Sequence, residues 1–229
     1  MFDQAKIESI LEVKFTDPSL IKTAFTHRSY LNEHRNSGLE HNERLEFLGD
    51  AVLELVVTDY LFSNYPDQPE GILTSWRSAL VKTESLAELA ESLDIGQYLL
   101  MSRGELKSGG RERVALLANL VEAVIGAIYL DNGYDRAKLF ITTHITTKLA
   151  NIIKAGSYID AKSHFQEIAQ EKKGITPSYE VLEESGPDHD KHFEVGAYLG
   201  KKLYGKGTGS SKQAAQQSAA ADALQKLQK

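Results

Sequence analysis

Seventeen consecutive residues, Val114 to Leu130, carry one charged side chain, Glu122, and one side-chain amide, Asn119. A stretch this apolar must be covered on nearly every side, and it is short for a membrane span, so it predicts a buried helix around which a domain is built. Glu122 is then an anomaly. A carboxylate is almost never buried in such surroundings unless it is paired or coordinated, and Asn119 sits one turn earlier on the same face. Taken alone, Glu122 could instead cap or bond a neighbouring backbone group, the less favoured of the two readings.

A second helical run changes how that anomaly is weighed. In His41-Asn-Glu-Arg-Leu-Glu-Phe-Leu-Gly-Asp50, about 100° per residue puts Glu43, Glu46 and Asp50 on one face, opposite Leu45, Leu48, Val52, Leu55 and Val56. The ordinary meaning of such a face is a solvated acidic surface. Yet like charges three or four residues apart cost roughly 0.2–0.5 kcal/mol per pair, which surface helices offset with nearby Lys or Arg. None stands between Leu45 and Trp76, a span holding Glu46, Asp50, Glu54, Asp59, Asp67 and Glu70. Such a segment invites a cation from outside. Glu46, Asp50, Asn119 and Glu122 together offer hard oxygen donors of the kind Mg²⁺ or Mn²⁺ takes, with waters completing the shell. The seven His show no zinc spacing. Phe47 and Val57, apolar residues flanking the acidic face, are candidate contacts to another subunit.

From Ile7 to about Leu149 the apolar periodicity is helical, broken at Asp17-Pro18, Asn64-Tyr-Pro-Asp, Ser108-Gly-Gly and Asp131-Asn-Gly, with no alternating strand pattern. Past Ala155 the grammar changes. Ala161 to Lys172 suits a helix, Ser178 to Glu184 and His192 to Leu199 alternate as strands, and a third short strand is expected around Lys202 to Lys206. Gly205, Gly207 and Gly209 are expected to turn the backbone tightly into the alanine-rich, helix-forming run from Ser210 to Leu224. The expected architecture is an all-α domain over residues 1–154, a linker over 155–158, and a small α+β domain of order α-β-β-β-α over 159–229.

Composition narrows the function classes. With no cysteine, disulfides, thiolate metal sites and cysteine nucleophiles are all excluded, and a reducing, cytoplasmic setting is expected. The N-terminus lacks a signal-peptide pattern, and neither a membrane nor a small-molecule organic cofactor is expected as a partner. A net charge of −6 argues against a simple nucleic-acid binder, but the charge is unevenly spread. Residues 1–155 hold 16 Lys and Arg against 22 Asp and Glu, whereas residues 156–229 hold 10 of each. Within the second part, Val195 to Ala221 contains Lys201, Lys202, Lys206 and Lys212 and no acid at all.

The run HNERLEFLGDAVL, His41 to Leu53, resembles the signature of the ribonuclease III family. Thr26-His-Arg-Ser-Tyr30, Gly104-Glu-Leu-Lys-Ser-Gly-Gly110 and Leu117-Ala-Asn-Leu-Val-Glu-Ala123 resemble its other blocks in order, and the resemblance covers essentially the whole chain. It implies hydrolysis of double-stranded RNA with Mg²⁺, for which Mn²⁺ substitutes, by a homodimer in which each subunit cuts one strand. The implied products carry 5′-phosphate ends and short 3′ overhangs, as in rRNA and mRNA precursor processing. Carried over residue by residue, Glu46, Asp50 and Glu122 match metal-binding positions, with Asp50 and Glu122 as the catalytic pair. Glu43 and Glu70 match acidic positions that assist around the site. Asn119 stands where the family most often has Asp; its amide oxygen can still ligate Mg²⁺, but with one charge fewer, so an active chain with a higher metal demand is expected. His27 is expected to be packed and hydrogen-bonded rather than a general base, and its pairing with Ser29 lacks the third member and strained turn of a hydrolytic triad.

The tail is similar to the double-stranded-RNA-binding domain. That similarity implies that Lys162, Ser163, Gln166 and Glu167 contact one minor groove of A-form RNA, that His189 in the loop 186–192 meets the next, and that Lys212 meets phosphates at a helix N-terminus. Where the family commonly has two or three basic residues, Lys212 is followed by Gln213 and Ala214, which predicts a weaker and less salt-sensitive grip. Lys201, Lys202 and Lys206 either compensate or form a solvated strand edge. A non-catalytic duplex-RNA-binding or ribosome-assembly protein is the second reading, with Asn119 as its mark. The retained carboxylates favour the enzyme, because a binding protein has no use for a cluster of repelling charges.

Overall fold

The computed structural model describes residues 2–35, 38–155, 161–187 and 191–227, which form two compact units, Met1–Tyr158 and Ile159–Lys229. The expected linker lies, apart from Ala155, outside the described residues. In the first unit the helices are α1 (Gln4–Leu11), α2 (Pro18–Ala24), α3 (Arg28–Glu33), α4 (Glu43–Asn64), α5 (Glu70–Val81), α6 (Thr83–Ser92), α7 (Arg103–Lys107), α8 (Val114–Asn132), α9 (Tyr134–His144) and α10 (Leu149–Ala155). They break where local chemistry requires. Asp17 accepts the Ser19 N–H at 2.8 Å as a cap while Pro18 opens α2, and Gly133, at φ 81°, ends α8. The only bridge between extended segments among the described residues of this unit is a parallel one joining Thr26 to Leu100.

By length and apolar composition α8 could cross a membrane, but it is the central core helix, wrapped by α2, α4, α6 and α9. Leu117, Leu120, Val121, Val124, Ile125 and Ile128 are at most 2% exposed. Fully burying each such side chain contributes roughly 1.5–3 kcal/mol. A charged helix tip is tied in as well: the Asp131 carboxylate accepts the Thr16 and Asp17 N–H groups, each at 2.8 Å.

α4 meets α8 backbone to backbone. A Cβ added to Gly49 would stand 1.8 Å from the Glu122 carbonyl oxygen, and one added to Gly126 would stand 2.3 Å from the Leu45 carbonyl oxygen. Ordinary helix pairs are held 8–10 Å apart by their side chains; here two reciprocal glycines remove that spacer. The crossing sets the turn bearing Glu46 and Asp50 against the turn bearing Asn119 and Glu122.

The buried arc of α4 differs from the expected stripe. Leu45, Val52 and Val56 enter the core and Leu48 packs against it, but Leu55 is 58% exposed. Val57, expected with Phe47 as a subunit contact, is fully buried, whereas Phe47 is 81% exposed. The reason is that α5 and α9 as well as α8 flank α4, shifting and widening its covered side.

The second unit is α11 (Ala161–Lys173), β1 (Ser178–Ser185), β2 (His192–Leu199), β3 (Lys202–Gly209) and α12 (Lys212–Leu227), with an antiparallel sheet of order β1-β2-β3. Phe165, Val195 and Ala197 pack with the small side chains of Ala215, Ala219 and Ala223. The glycines were expected to form a turn; instead β3 runs on through Gly205, Gly207 and Gly209. A Cβ at Gly207 would lie 2.1 Å from the Ala219 nitrogen, so these glycines let α12 rest directly on the strand.

Because neither helix backbone can yield locally, Gly49→Ala and Gly126→Ala are each expected to destabilise the first unit by about 1–3 kcal/mol or more. A fall in the urea midpoint at unchanged slope checks this, and no fall in either variant would contradict the backbone contact.

Candidate metal centre and nucleic-acid interface

The acidic span lacks basic neighbours in sequence, yet the fold supplies several. Arg77 of α5 pairs with Glu54 at 2.9 Å, Lys138 of α9 with Asp59 at 2.6 Å, and Arg28 of α3 with Glu43 at 3.4 Å. Glu46, Asp50 and Glu122 have no such ion pair among the described residues. The cost is visible at Glu122 and Glu46. Burial, then the charges of Asp50 and Glu46, push the Glu122 carboxyl up to about 7. Burial and the charges of Glu43 and Asp50 also raise Glu46, against a hydrogen bond from the Asn119 amide that lowers it.

Among the described residues no three carboxylate or imidazole groups close on one point as a finished metal cage. Like charges face one another across the helix crossing, and the fourth place is held by the Asn119 amide. The donor set nevertheless fits a hard divalent cation: every available donor is oxygen, and Glu122 is half-buried with no counter-charge. Glu43 sits at the edge of this cluster, on the first turn of α4. Glu70 does not join it. At the start of α5 its carboxylate is 3.4 Å from the Thr74 hydroxyl, and its charge does not contribute to the shifts of Glu46 and Glu122.

His27 is packed and hydrogen-bonded, as expected. Its Nδ1 accepts the Ser29 N–H at 3.3 Å, capping α3, and lies 2.8 Å from the Ser29 hydroxyl; burial lowers its pKa and favours the neutral ring. The Ser29 oxygen also accepts the Ser102 N–H at 3.0 Å. The His–Ser pair therefore latches α3 to the segment preceding α7.

In the second unit Lys162 is more committed than expected. Its ammonium donates to the Gln216 side chain at 2.7 Å and lies 5.1 Å from the centre of the Tyr179 ring, while Gln217 accepts its backbone N–H at 3.2 Å. Ser163 and Gln166, with Gln213 and Gln217, line a polar cleft between α11 and α12. Glu167 is exposed on the same helix. Lys212 opens α12, 4.0 Å from Glu184 and 5.6 Å from the centre of the Phe193 ring. Lys206 is held by Glu194 at 2.8 Å, and Lys202 lies 5.2 Å from the Tyr204 ring centre. Lys201 is exposed, and His189 lies outside the described residues.

Sequence patterning passed over Gly49, Gly126 and Gln217, and took Gln213 only as standing where the family commonly has a basic residue. A glycine inside each of two apolar helical runs was the available signal for the first two; the glutamines, four apart on one helix face, resembled ordinary solvated positions.

The folded Glu122 carboxyl, near 7, lies above its unaltered value of 4.5. Between these values the native state holds the extra proton, so the free energy of unfolding of the metal-free protein should fall as pH rises through that window and level off above it. Glu122→Gln should remove the Glu122 share of this slope and leave a shallower one, to which the raised Glu46 still contributes. Urea denaturation of both proteins from pH 5 to 8 checks it; parallel profiles would contradict the assignment.

A profile described as Ribonuclease-III-like matches residues 17–149, and one described as a double-stranded RNA binding motif matches residues 161–227. Ribonuclease 3 of Listeria monocytogenes serotype 4a is 47% identical over 216 residues, covering 93% of each chain. Ribonuclease 3 of Oceanobacillus iheyensis is 44% identical over 228 residues, covering 98% of each. The solved nuclease domain of ribonuclease III from Campylobacter jejuni, which is described as structurally flexible in a region involved in dimer formation, is 41% identical. It superposes with a TM-score of 0.58 over 63% of this chain and 97% of that one. With a helical nuclease unit built on the α4–α8 crossing and a duplex-RNA-binding motif after it in the sequence, the chain belongs to the ribonuclease III family.

Proposed function

We propose that this chain is an endoribonuclease for double-stranded RNA that works with Mg²⁺, or Mn²⁺ in its place. The observation that carries this is the set of uncompensated oxygen donors at the α4–α8 crossing, in a chain whose other unit matches a duplex-RNA-binding motif. Glu46, Asp50, Asn119 and Glu122 would hold the metal. When bound, a divalent ion supplies charge stabilisation at the phosphodiester and a water that is more readily deprotonated. The protein's share is positioning: the backbone contact at Gly49 and Gly126 keeps the donors of two helices in register, so little reorganisation is needed at the moment of reaction. In the proposed hydrolysis a water oxygen bonds to phosphorus and the 3′ oxygen leaves, giving a 5′-phosphate and a 3′-hydroxyl. Duplex delivery falls to the second unit, with Ser163, Gln166 and Glu167 toward a minor groove and Lys212 toward phosphates.

Action as a homodimer is part of the proposal, with each subunit cutting one strand and leaving short 3′ overhangs. Phe47, Leu55 and Phe62 of α4 are 81%, 58% and 74% exposed, an arrangement that supports a covering partner. Precursors of rRNA and mRNA are the proposed substrates, and the cytoplasm is the proposed place of action. Asn119 is the one observation that favours the second reading, a duplex binder without catalysis.

A long RNA duplex incubated with Mg²⁺ separates the two. The wild-type chain is expected to cut it, and Glu122→Gln to lose at least about a hundredfold in rate while binding duplex unchanged in metal-free buffer. Asn119→Asp should cut at lower Mg²⁺. Tight binding by the wild type without metal-dependent products would select the second reading.

A further inference from the structure

Arg28 is the first residue of α3, and its main chain is pinned on both sides. The His27 N–H donates to the Leu100 carbonyl at 2.9 Å, and Ser29 is held by Ser102. Its guanidinium, by contrast, is largely exposed, with Nη1 3.4 Å from Oε1 of Glu43. His41 Nδ1 stands 3.7 Å from the other oxygen of that carboxylate. Among the described residues, Glu43 is therefore the one acid on this face of α4 with basic groups at both oxygens. Glu46, one turn on, has none, and it feels the Glu43 charge.

An exposed ion pair contributes little to fold stability, but its position beside the cluster has an electrostatic effect. The affinity of an oxygen site for a hard divalent ion rises with the number of carboxylates free to face it. Asn119 leaves this site one charge short of four carboxylates, so the availability of one more matters.

We infer that Arg28 is a positioning residue of the metal centre: by holding the Glu43 carboxylate at the edge of the cluster, it limits how tightly Glu46, Asp50, Asn119 and Glu122 bind a divalent ion. The inference rests on the reading of that cluster as a metal centre. Arg28 acts through Glu43. It reaches Glu43 from α3, a helix that carries none of the proposed ligands, so the His27–Ser29–Ser102 latch gains a role in setting the charge of the site.

The test is Mn²⁺ binding to the full RNA-free chain, measured by titration calorimetry at fixed ionic strength because exposed charges are screened by salt. Arg28→Gln is expected to tighten binding about three- to tenfold, as freeing one nearby charge does in partly aqueous surroundings. Arg28→Met, which keeps the aliphatic stem, should do the same, and Arg28→Lys should stay within about twofold of wild type. In a Glu43→Gln background, Arg28→Gln should shift the affinity by less than about twofold. Unchanged binding in both Arg28→Gln and Arg28→Met overturns the inference. So does equal tightening with and without Glu43, which would mean direct repulsion of the ion. If neither wild type nor Glu122→Gln binds Mn²⁺, the metal-centre reading itself falls and takes this inference with it. Binding by wild type that is lost in Glu122→Gln upholds that reading whatever Arg28 does.

Discussion

Everything of functional interest in the first unit depends on the backbone contact between α4 and α8 at Gly49 and Gly126. Each glycine faces a carbonyl of the opposite helix at a distance no side chain could occupy. The contact does two things. It closes the apolar core around α8, and it brings two polar turns, Glu46 to Asp50 and Asn119 to Glu122, into one field. Separated by ordinary side chains, the same carboxylates would be better solvated and less coupled, and Glu122 would titrate as an unremarked glutamate.

The cost of that field is spread unevenly. Glu54 and Asp59 are answered by Arg77 and Lys138 from neighbouring helices, and Glu43 by Arg28. Among the described residues Glu46, Asp50 and Glu122, which share the α4–α8 crossing, have no ion pair, and Glu46 and Glu122 each feel the other acids' charge. A protein that is only marginally stable keeps such a cluster at the expense of its apo fold, and a bound cation would return part of that stability. The second unit uses glycine in a related way. Gly205, Gly207 and Gly209 remove the side chains that would lift α12 from the sheet, and alanines on α12 complete the close approach.

Much of this was legible in the order of residues. The 3.6-residue periodicity of the first unit and the two-residue alternation of β2 are local signals, and the elements stand close to where they were expected. The helices and strands of the second unit differ only at their ends: β1 extends to Ser185, β3 to Gly209 and the first helix to Lys173, while the last helix runs from Lys212 to Leu227 rather than from Ser210 to Leu224. Glu122 stood out because one charge in an apolar run is a local anomaly. Val57 and Leu55 were misplaced because helical periodicity gives the direction of a face but not the number of neighbours packed on it. Lys162 looked free because the glutamines that engage it lie far away in the chain.

By itself, the sequence determined the elements, the division into a helical part and an α+β part, the identity of the acidic and amide donors, and the family to which they belong. These follow from periodicity, composition and motif, which are properties of neighbouring residues. Only the tertiary structure decided which acids are neutralised and which are left exposed to one another's charge. Arg28, Arg77 and Lys138 are remote in the chain from the carboxylates they meet or lie on other helices, and electrostatic energy depends on distance through space. For the same reason two glycines that look merely permissive in a helix turn out to set the spacing on which the candidate metal centre depends.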